Sequence, residues 1–173
     1  MLKQRKGILL AEETIKIVIA LICIVFLIYL LVTLYYTKVG DAKLNQAKAT
    51  LKDSNTSSIK TGIEKVKIGQ GNLGGTSEEL LIHNPNSWYL FSFVQNELKP
   101  NECVGENCIC ICSNVGKVGV AFWKSEQQRQ LEECDKKGTC LIVKDLIRFK
   151  EIEISPATEI LIKNDNGISI IKK

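Results

Sequence analysis

Twenty consecutive residues, Ile17 to Tyr36, carry no charge, and Thr33 is the only strongly polar side chain among them. At 1.5 Å rise per residue, a helix of this length covers about 30 Å, the thickness of a bilayer's hydrocarbon core. A wholly soluble chain does not suit such a run. The 137 residues after Tyr36 suffice for one modest core. The expectation is a membrane-spanning helix followed by one small domain, and an ordinary multidomain enzyme does not fit the length.

Charge is placed as unevenly as hydrophobicity. The chain holds 23 Lys and Arg against 19 Asp and Glu, a formal net charge of +4. Lys3, Arg5 and Lys6 precede Gly7, with no acid among the first eleven residues. After Tyr36, 19 basic and 17 acidic residues are interspersed. Basicity therefore belongs to the N-terminal flank, and no clustered Lys/Arg face for nucleic acid is expected. Positive residues stay on the cytoplasmic side, which puts the N-terminus inside and residues 37–173 outside. A cleaved secretory signal would have an apolar region of about 7–15 residues and small residues at the cut. This run is longer and ends in Leu34-Tyr35-Tyr36, and tyrosines suit the headgroup interface. The expected location is the cell membrane, as a single-pass protein with an extracytoplasmic C-terminal domain.

One local pattern goes further. Lys6-Gly7 is followed by Ile8-Leu9-Leu10-Ala11-Glu12. A basic residue, a Gly, four apolar residues and a Glu resemble the class III signal of type IV prepilins, and the resemblance covers roughly the first 36 residues. It implies a cut by a prepilin peptidase between Gly7 and Ile8, with Ile8 as the first mature residue. It also implies that Glu12 neutralises a neighbouring subunit's free amine when the apolar helices bundle in a filament. A carboxylate in lipid is expensive, so it needs such a partner. Glu13 and Lys16 add charges where pilin helices are usually apolar, and Glu12 and Lys16 form an i,i+4 pair. The alternative is a plain anchor, with Glu12-Glu13-Thr14 as the first helical turn at the cytoplasmic interface.

Residues 37–75 read as a helical stalk and a flexible linker. Leu44, Ala47 and Leu51 fall at 3-4 spacing, a narrow apolar stripe, and Gly40 weakens the junction without forbidding one continuous helix. Ser54-Asn-Thr-Ser-Ser58 ends it, and contains the glycosylation triplet Asn55-Thr56-Ser57. Gly69-Gln-Gly71-Asn-Leu-Gly74 has the letters of a dinucleotide fingerprint. That motif needs a strand before it and a helix of several turns after it. Asn84-Pro85-Asn86 comes too soon for such a helix, so the segment reads as linker.

From residue 76 the apolar period becomes two. Leu80-Leu81-Ile82, Trp88 to Val94, Cys108 to Cys112, Val118 to Phe122, Cys140 to Val143, Phe149 to Ile154, Glu159 to Ile162 and Ile168 to Ile171 read as strands. Trp88 to Val94 is apolar on both faces and should be central. Ser125 to Glu133 suggests a short helix, and Ser155-Pro156 and Asn164-Asp-Asn-Gly167 are turns. The fold class is α+β: a long N-terminal transmembrane helix (1–36), its amphipathic stalk (37–75) and a small antiparallel β domain (76–173) stapled by disulfides.

Cys23 lies in the apolar helix as a small side chain. The remaining cysteines, Cys103, Cys108, Cys110, Cys112, Cys134 and Cys140, are even in number and clustered in the segment placed outside, which reads as disulfides. In a strand, the alternation Cys-Ile-Cys-Ile-Cys puts three sulfurs on one face, with Cα spacings at the edge of disulfide reach. Each should therefore pair outside the trio. Cys103 and Cys108 can close locally, and Cys110 and Cys112 then take Cys134 and Cys140 in either order. Three thiols on one face plus a fourth would also suit zinc or an iron–sulfur cluster. The absence of any Cys-x-x-Cys pair speaks against metal and against a thioredoxin-like site. His83 is the only histidine, and no nucleophile–base constellation is visible, so no catalytic residue, metal or cofactor is expected. The expected function is a pilin-like subunit of a surface filament or pseudopilus, with a structural or adhesive role. Its expected partners are the membrane, a prepilin peptidase, like subunits and an unidentified extracellular ligand. The alternative is an anchored extracytoplasmic binding module.

Overall fold

The structure, a computed structural model, describes residues 3–54, 57–113 and 126–173, with side chains from residue 14 onward except those of 126 and 127. The strand expected at Val118–Phe122, and Asn55 and Thr56 of the glycosylation triplet, lie outside the described residues. The protein is α+β, and the chain divides into two compact units, Met1–Gly40 and Asp41–Lys173.

The first unit is helical. Helix α1 runs over Lys3–Lys52 and is not broken at Gly40. Within it an 18-residue stretch reaches a mean hydropathy of 3.3, so this helix is long and apolar enough to cross a membrane. Every side chain from Thr14 to Lys38 is exposed, including Phe26, Leu27, Tyr29 and Leu31. Two threonine hydroxyls near the C-terminal end of the apolar run bond back to the helix. The Thr33 hydroxyl donates to the Tyr29 carbonyl at 2.8 Å, and that of Thr37 to the Thr33 carbonyl at 2.9 Å.

The second unit is a two-sheet sandwich. Strands β1 (Ser77–Ile82), β6 (Thr158–Asn164) and β7 (Ile168–Lys172) form an antiparallel sheet in the order β1-β6-β7. Strands β2 (Trp88–Phe93), β3 (Cys108–Ser113), β4 (Gly138–Ile142) and β5 (Ile152–Ile154) form the other, in the order β4-β3-β2-β5. The strand read as central, β2, is flanked on both sides. One core joins the two sheets. Leu80, Ile160, Ile162 and Ile170 come from the first, and Trp88, Leu90, Ile109, Ile111 and Ile152 from the second. The last turns of α1 enter it too. Ala47 and Leu51 are fully buried there and Leu44 packs against it, the stripe expected from spacing.

Helix α2 (Ile59–Lys67) occupies part of the stretch that reads as linker. Ile59, Ile63 and Val66 at helical spacing bury one face, and the Ser58 hydroxyl caps the helix by accepting from the Thr61 N–H at 3.2 Å. Gly62 sits against the sheet. A Cβ there would stand 2.7 Å from Leu80 Cδ1 and 2.8 Å from Ile162 Cδ1, so those two side-chain ends would have to shift to admit one. Helix α3 (Glu126–Lys137) covers the described part of the expected short helix and extends four residues beyond it.

Strand β5 starts three residues later than the apolar alternation suggested. The N–H of Phe149 donates to the Ser92 hydroxyl and its carbonyl accepts from it, both at 3.1 Å, in place of a backbone ladder. The chain's last residue is tied down: Lys173 Nζ lies 2.6 Å from Glu79 Oε1, and that hydrogen bond holds its ammonium above the usual lysine range.

Candidate functional site

Two regions hold the residues singled out by sequence. Gly7, Ile8 and Glu12 lie in α1, ahead of the residues whose side chains the structure describes. The second region is the outer face of the four-stranded sheet.

On β3 the alternation of the strand sorts side chains by chemistry. Ile109 and Ile111 point into the core shared by both sheets, while Cys108, Cys110 and Cys112 point the opposite way. There they meet Cys103 from a single 3-10 turn (Asn101–Cys103), Cys134 from α3 and Cys140 from β4. Cys103 bonds Cys108, Cys110 bonds Cys140, and Cys112 bonds Cys134, with Cα separations of 5.8, 4.0 and 5.1 Å. No bond joins two members of the β3 trio. The Cys110–Cys140 bond crosses directly opposite positions of β3 and β4, and the Cys112–Cys134 bond fastens α3 over the sheet. All six cysteines are buried, so this is a second, sulfur-rich core.

The sulfurs of Cys103, Cys108, Cys110 and Cys140 all lie within 4.8 Å of one another, with Cys103 to Cys110 at 3.8 Å and Cys108 to Cys110 at 3.9 Å. As thiolates these four residues are the ones that would hold a soft metal, since zinc–sulfur bonds near 2.3 Å put ligand sulfurs roughly 3.8 Å apart. Paired as two disulfides, they offer no thiolate. Cys23 is a free, exposed cysteine of the apolar helix. His83 is exposed, immediately after β1, and is not among the residues gathered here.

Beside the cysteines runs a ladder of aromatic rings on β2. Tyr89, Phe91 and Phe93 stand opposite Cys112, Cys110 and Cys108 and are half-buried. Their ring centroids are 6.1 Å apart for Tyr89–Phe91 and 6.5 Å for Phe91–Phe93. The alternate residues of the same strand, Trp88 and Leu90, fill the other core. A run that reads as apolar on both faces thus serves two cores at once.

Around the cysteines, α1, the 3-10 turn and β4 are linked by one carboxylate. Glu102 accepts the N–H of Cys140 and pairs with Lys52 Nζ at 3.3 Å. A second polar centre has little signature in the sequence. Glu78 on edge strand β1 is only 2 % exposed, yet its carboxylate pairs with Lys65 Nζ at 2.8 Å and accepts the Asn72 N–H at 2.6 Å. Asn72 in turn brackets Glu79, accepting its N–H at 2.9 Å and donating to its carbonyl at 3.2 Å. These bonds fix the Gly69–Gly75 turn, where Gly71 bridges Gly75, and the turn leads into strand β1 rather than into a helix. The one signal for Glu78 is an acid beside an apolar strand segment, and only the fold brings it close to Lys65 of α2.

No family model, curated protein or solved structure matches this chain.

Proposed function

We propose that this protein is a pilin-like, membrane-anchored subunit of a surface filament or pseudopilus, with a structural or adhesive role. The observation that carries the reading is the content of one helix. Within Lys3–Lys52 lie the Lys6-Gly7 to Glu12 signal, an apolar run exposed along its length, and the Ala47 and Leu51 that are buried in the β domain's core. Lipid covers the run before assembly, and like helices cover it in a filament, where close packing replaces lipid contacts. On this reading a prepilin peptidase cuts between Gly7 and Ile8. The N-terminus is cytoplasmic, by the charges of Lys3, Arg5 and Lys6. The β domain is extracytoplasmic, where disulfides persist. It carries no catalysis and no cofactor.

A second reading, an anchored extracytoplasmic binding module, draws on the half-buried ladder of Tyr89, Phe91 and Phe93. Aromatic rings of this kind anchor protein ligands. Glu12 separates the two. In an assembly Glu12 neutralises a neighbour's amine, so Glu12→Ala should leave membrane insertion intact and abolish recovery of high-mass assemblies from the sheared cell surface. In a plain anchor Glu12 is wet and its loss is silent. Unchanged assembly in the variant would remove Glu12 from the proposal.

A further inference from the structure

We infer that the two sheets of the β domain leave a vacant strand position between their free edges, and that it takes an extended acidic peptide segment of a partner protein. The N–H of Ile168, the first residue of β7, donates to the Asp145 carbonyl at 2.7 Å, and its carbonyl accepts from the Ile147 N–H at 2.8 Å, a parallel bridge centred on Leu146. One residue pair later the two segments part. Phe149, whose N–H would continue the ladder to Ile170, donates instead to Ser92. The segment then joins β2 as β5, whose Ile154 carbonyl accepts the Ser87 N–H, while β7 stays with β6.

Backbone alternation fixes which groups face the fork. Ile168 turns its N–H and carbonyl away from β6, and Lys173 N–H donates to Glu159 on the β6 side, so Ile170 and Lys172 also turn theirs away from β6. Among the described residues β7 pairs with no strand on that side and its Ile170 and Lys172 make no backbone bond outside the strands, although Ile170 is only 1 % exposed. Buried backbone groups are paired in the great majority of cases. On the other arm, Ile154 faces β2, so Glu151 and Glu153 turn their backbone groups toward the fork, where the Glu153 carbonyl accepts from Lys172 Nζ at 3.4 Å and from the Thr158 hydroxyl at 3.5 Å. Between the arms lies a cavity of about 580 Å³ lined by both.

Side chains define the occupant. Continuing the register from Leu146–Ile168 puts Arg148 at the level of Ile170 and Lys150 at the level of Lys172. Among the described residues Lys150 has no carboxylate partner, and Lys172 contacts only a carbonyl. Arg148 is paired with Glu97. An inserted strand would therefore meet Ile152 and Ile170 with an apolar residue and the two lysines with a carboxylate two residues away. It would join both sheets into one.

The test uses the full chain in lipid nanodiscs and residue-resolved amide exchange. The probe is the blocked peptide Thr-Val-Thr-Glu-Thr-Val-Thr, compared with the same peptide carrying Lys or Pro at its centre. The glutamate peptide should slow exchange at Ile170 and Lys172 by about tenfold or more, and leave the ladder amides of Ser169 and Ile171 unchanged. The lysine and proline peptides should not. Lys150→Glu combined with Lys172→Glu should reverse the preference toward the lysine peptide. The inference is overturned if no glutamate peptide at millimolar concentration slows these amides, or if all three act alike. It is equally overturned if the two amides are already protected in the free chain. Protection that grows with protein concentration would show that a second copy fills the fork, and would overturn the assignment to a partner protein.

Discussion

Cys110 and Cys140 stand directly opposite each other across antiparallel strands β3 and β4, with Cα atoms 4.0 Å apart and their sulfurs bonded. The bond lies on the outer face of the sheet, so it fastens a pair of strands whose inner faces already pack through Ile109, Ile111 and Leu141. Its neighbours extend the same face. Cys108 holds the 3-10 turn beside it and Cys112 holds α3.

Loop length orders the three bonds. Sequence separations are 30 for Cys110–Cys140, 22 for Cys112–Cys134 and 5 for Cys103–Cys108. The chain-entropy relation gives about 3–4 kcal/mol for each longer loop and about 2 kcal/mol for the short one. Against a total domain stability of about 5–15 kcal/mol, losing either long-loop bond is severe. Urea unfolding of Cys-to-Ser pair variants should rank the losses in that order, and non-reducing peptide mapping should recover these three pairs. A bond within Cys108, Cys110 and Cys112, or six free thiols holding zinc or iron, would contradict the arrangement.

Glu78 should matter more than its place on an edge strand suggests. Its buried carboxylate partners Lys65 Nζ and the Asn72 N–H. Glu78→Ala removes one half of a largely buried pair and should cost about 3–5 kcal/mol by denaturant unfolding. Glu78→Gln can still accept from Asn72 and should cost less. Equal losses for the two variants would mean that the packing of the side chain, not its charge, is what counts.

Thr139 offers the opposite sign. It is fully buried opposite Ile111, and its hydroxyl has no hydrogen-bond partner among the described residues. Thr139→Val keeps the shape and removes the unsatisfied group, so it should raise stability by about 1 kcal/mol, read as a higher urea midpoint at unchanged m-value. A loss of stability would show that the hydroxyl is satisfied.

Much of this fold is legible in the sequence where side-chain period and packing coincide. The Leu44, Ala47 and Leu51 stripe, the Cys-Ile-Cys-Ile-Cys strand and the doubly apolar β2 all keep one neighbour type per face, and local pattern suffices. Helix α2 is hidden by its shortness. Its nine residues hold only Ile59, Ile63 and Val66 as a signal, lie between polar and Gly-rich stretches, and contain Gly62, whose close neighbours Leu80 and Ile162 come from other elements. The division into two sheets is hidden by distance along the chain. Ser77 pairs with Lys163, and nothing near Ser77 announces it. The fork between β5 and β7 is hidden for a third reason, because it depends on the backbone of Phe149 turning to the hydroxyl of Ser92.

The most direct test of the filament-subunit proposal is the intact mass of the protein purified from membranes of the cells that make it. The account predicts a chain beginning at Ile8, with or without one added methyl group, because the cut falls after Gly7. A chain that retains Met1 through Gly7 would contradict it, and would leave the helix as an anchor for the β domain.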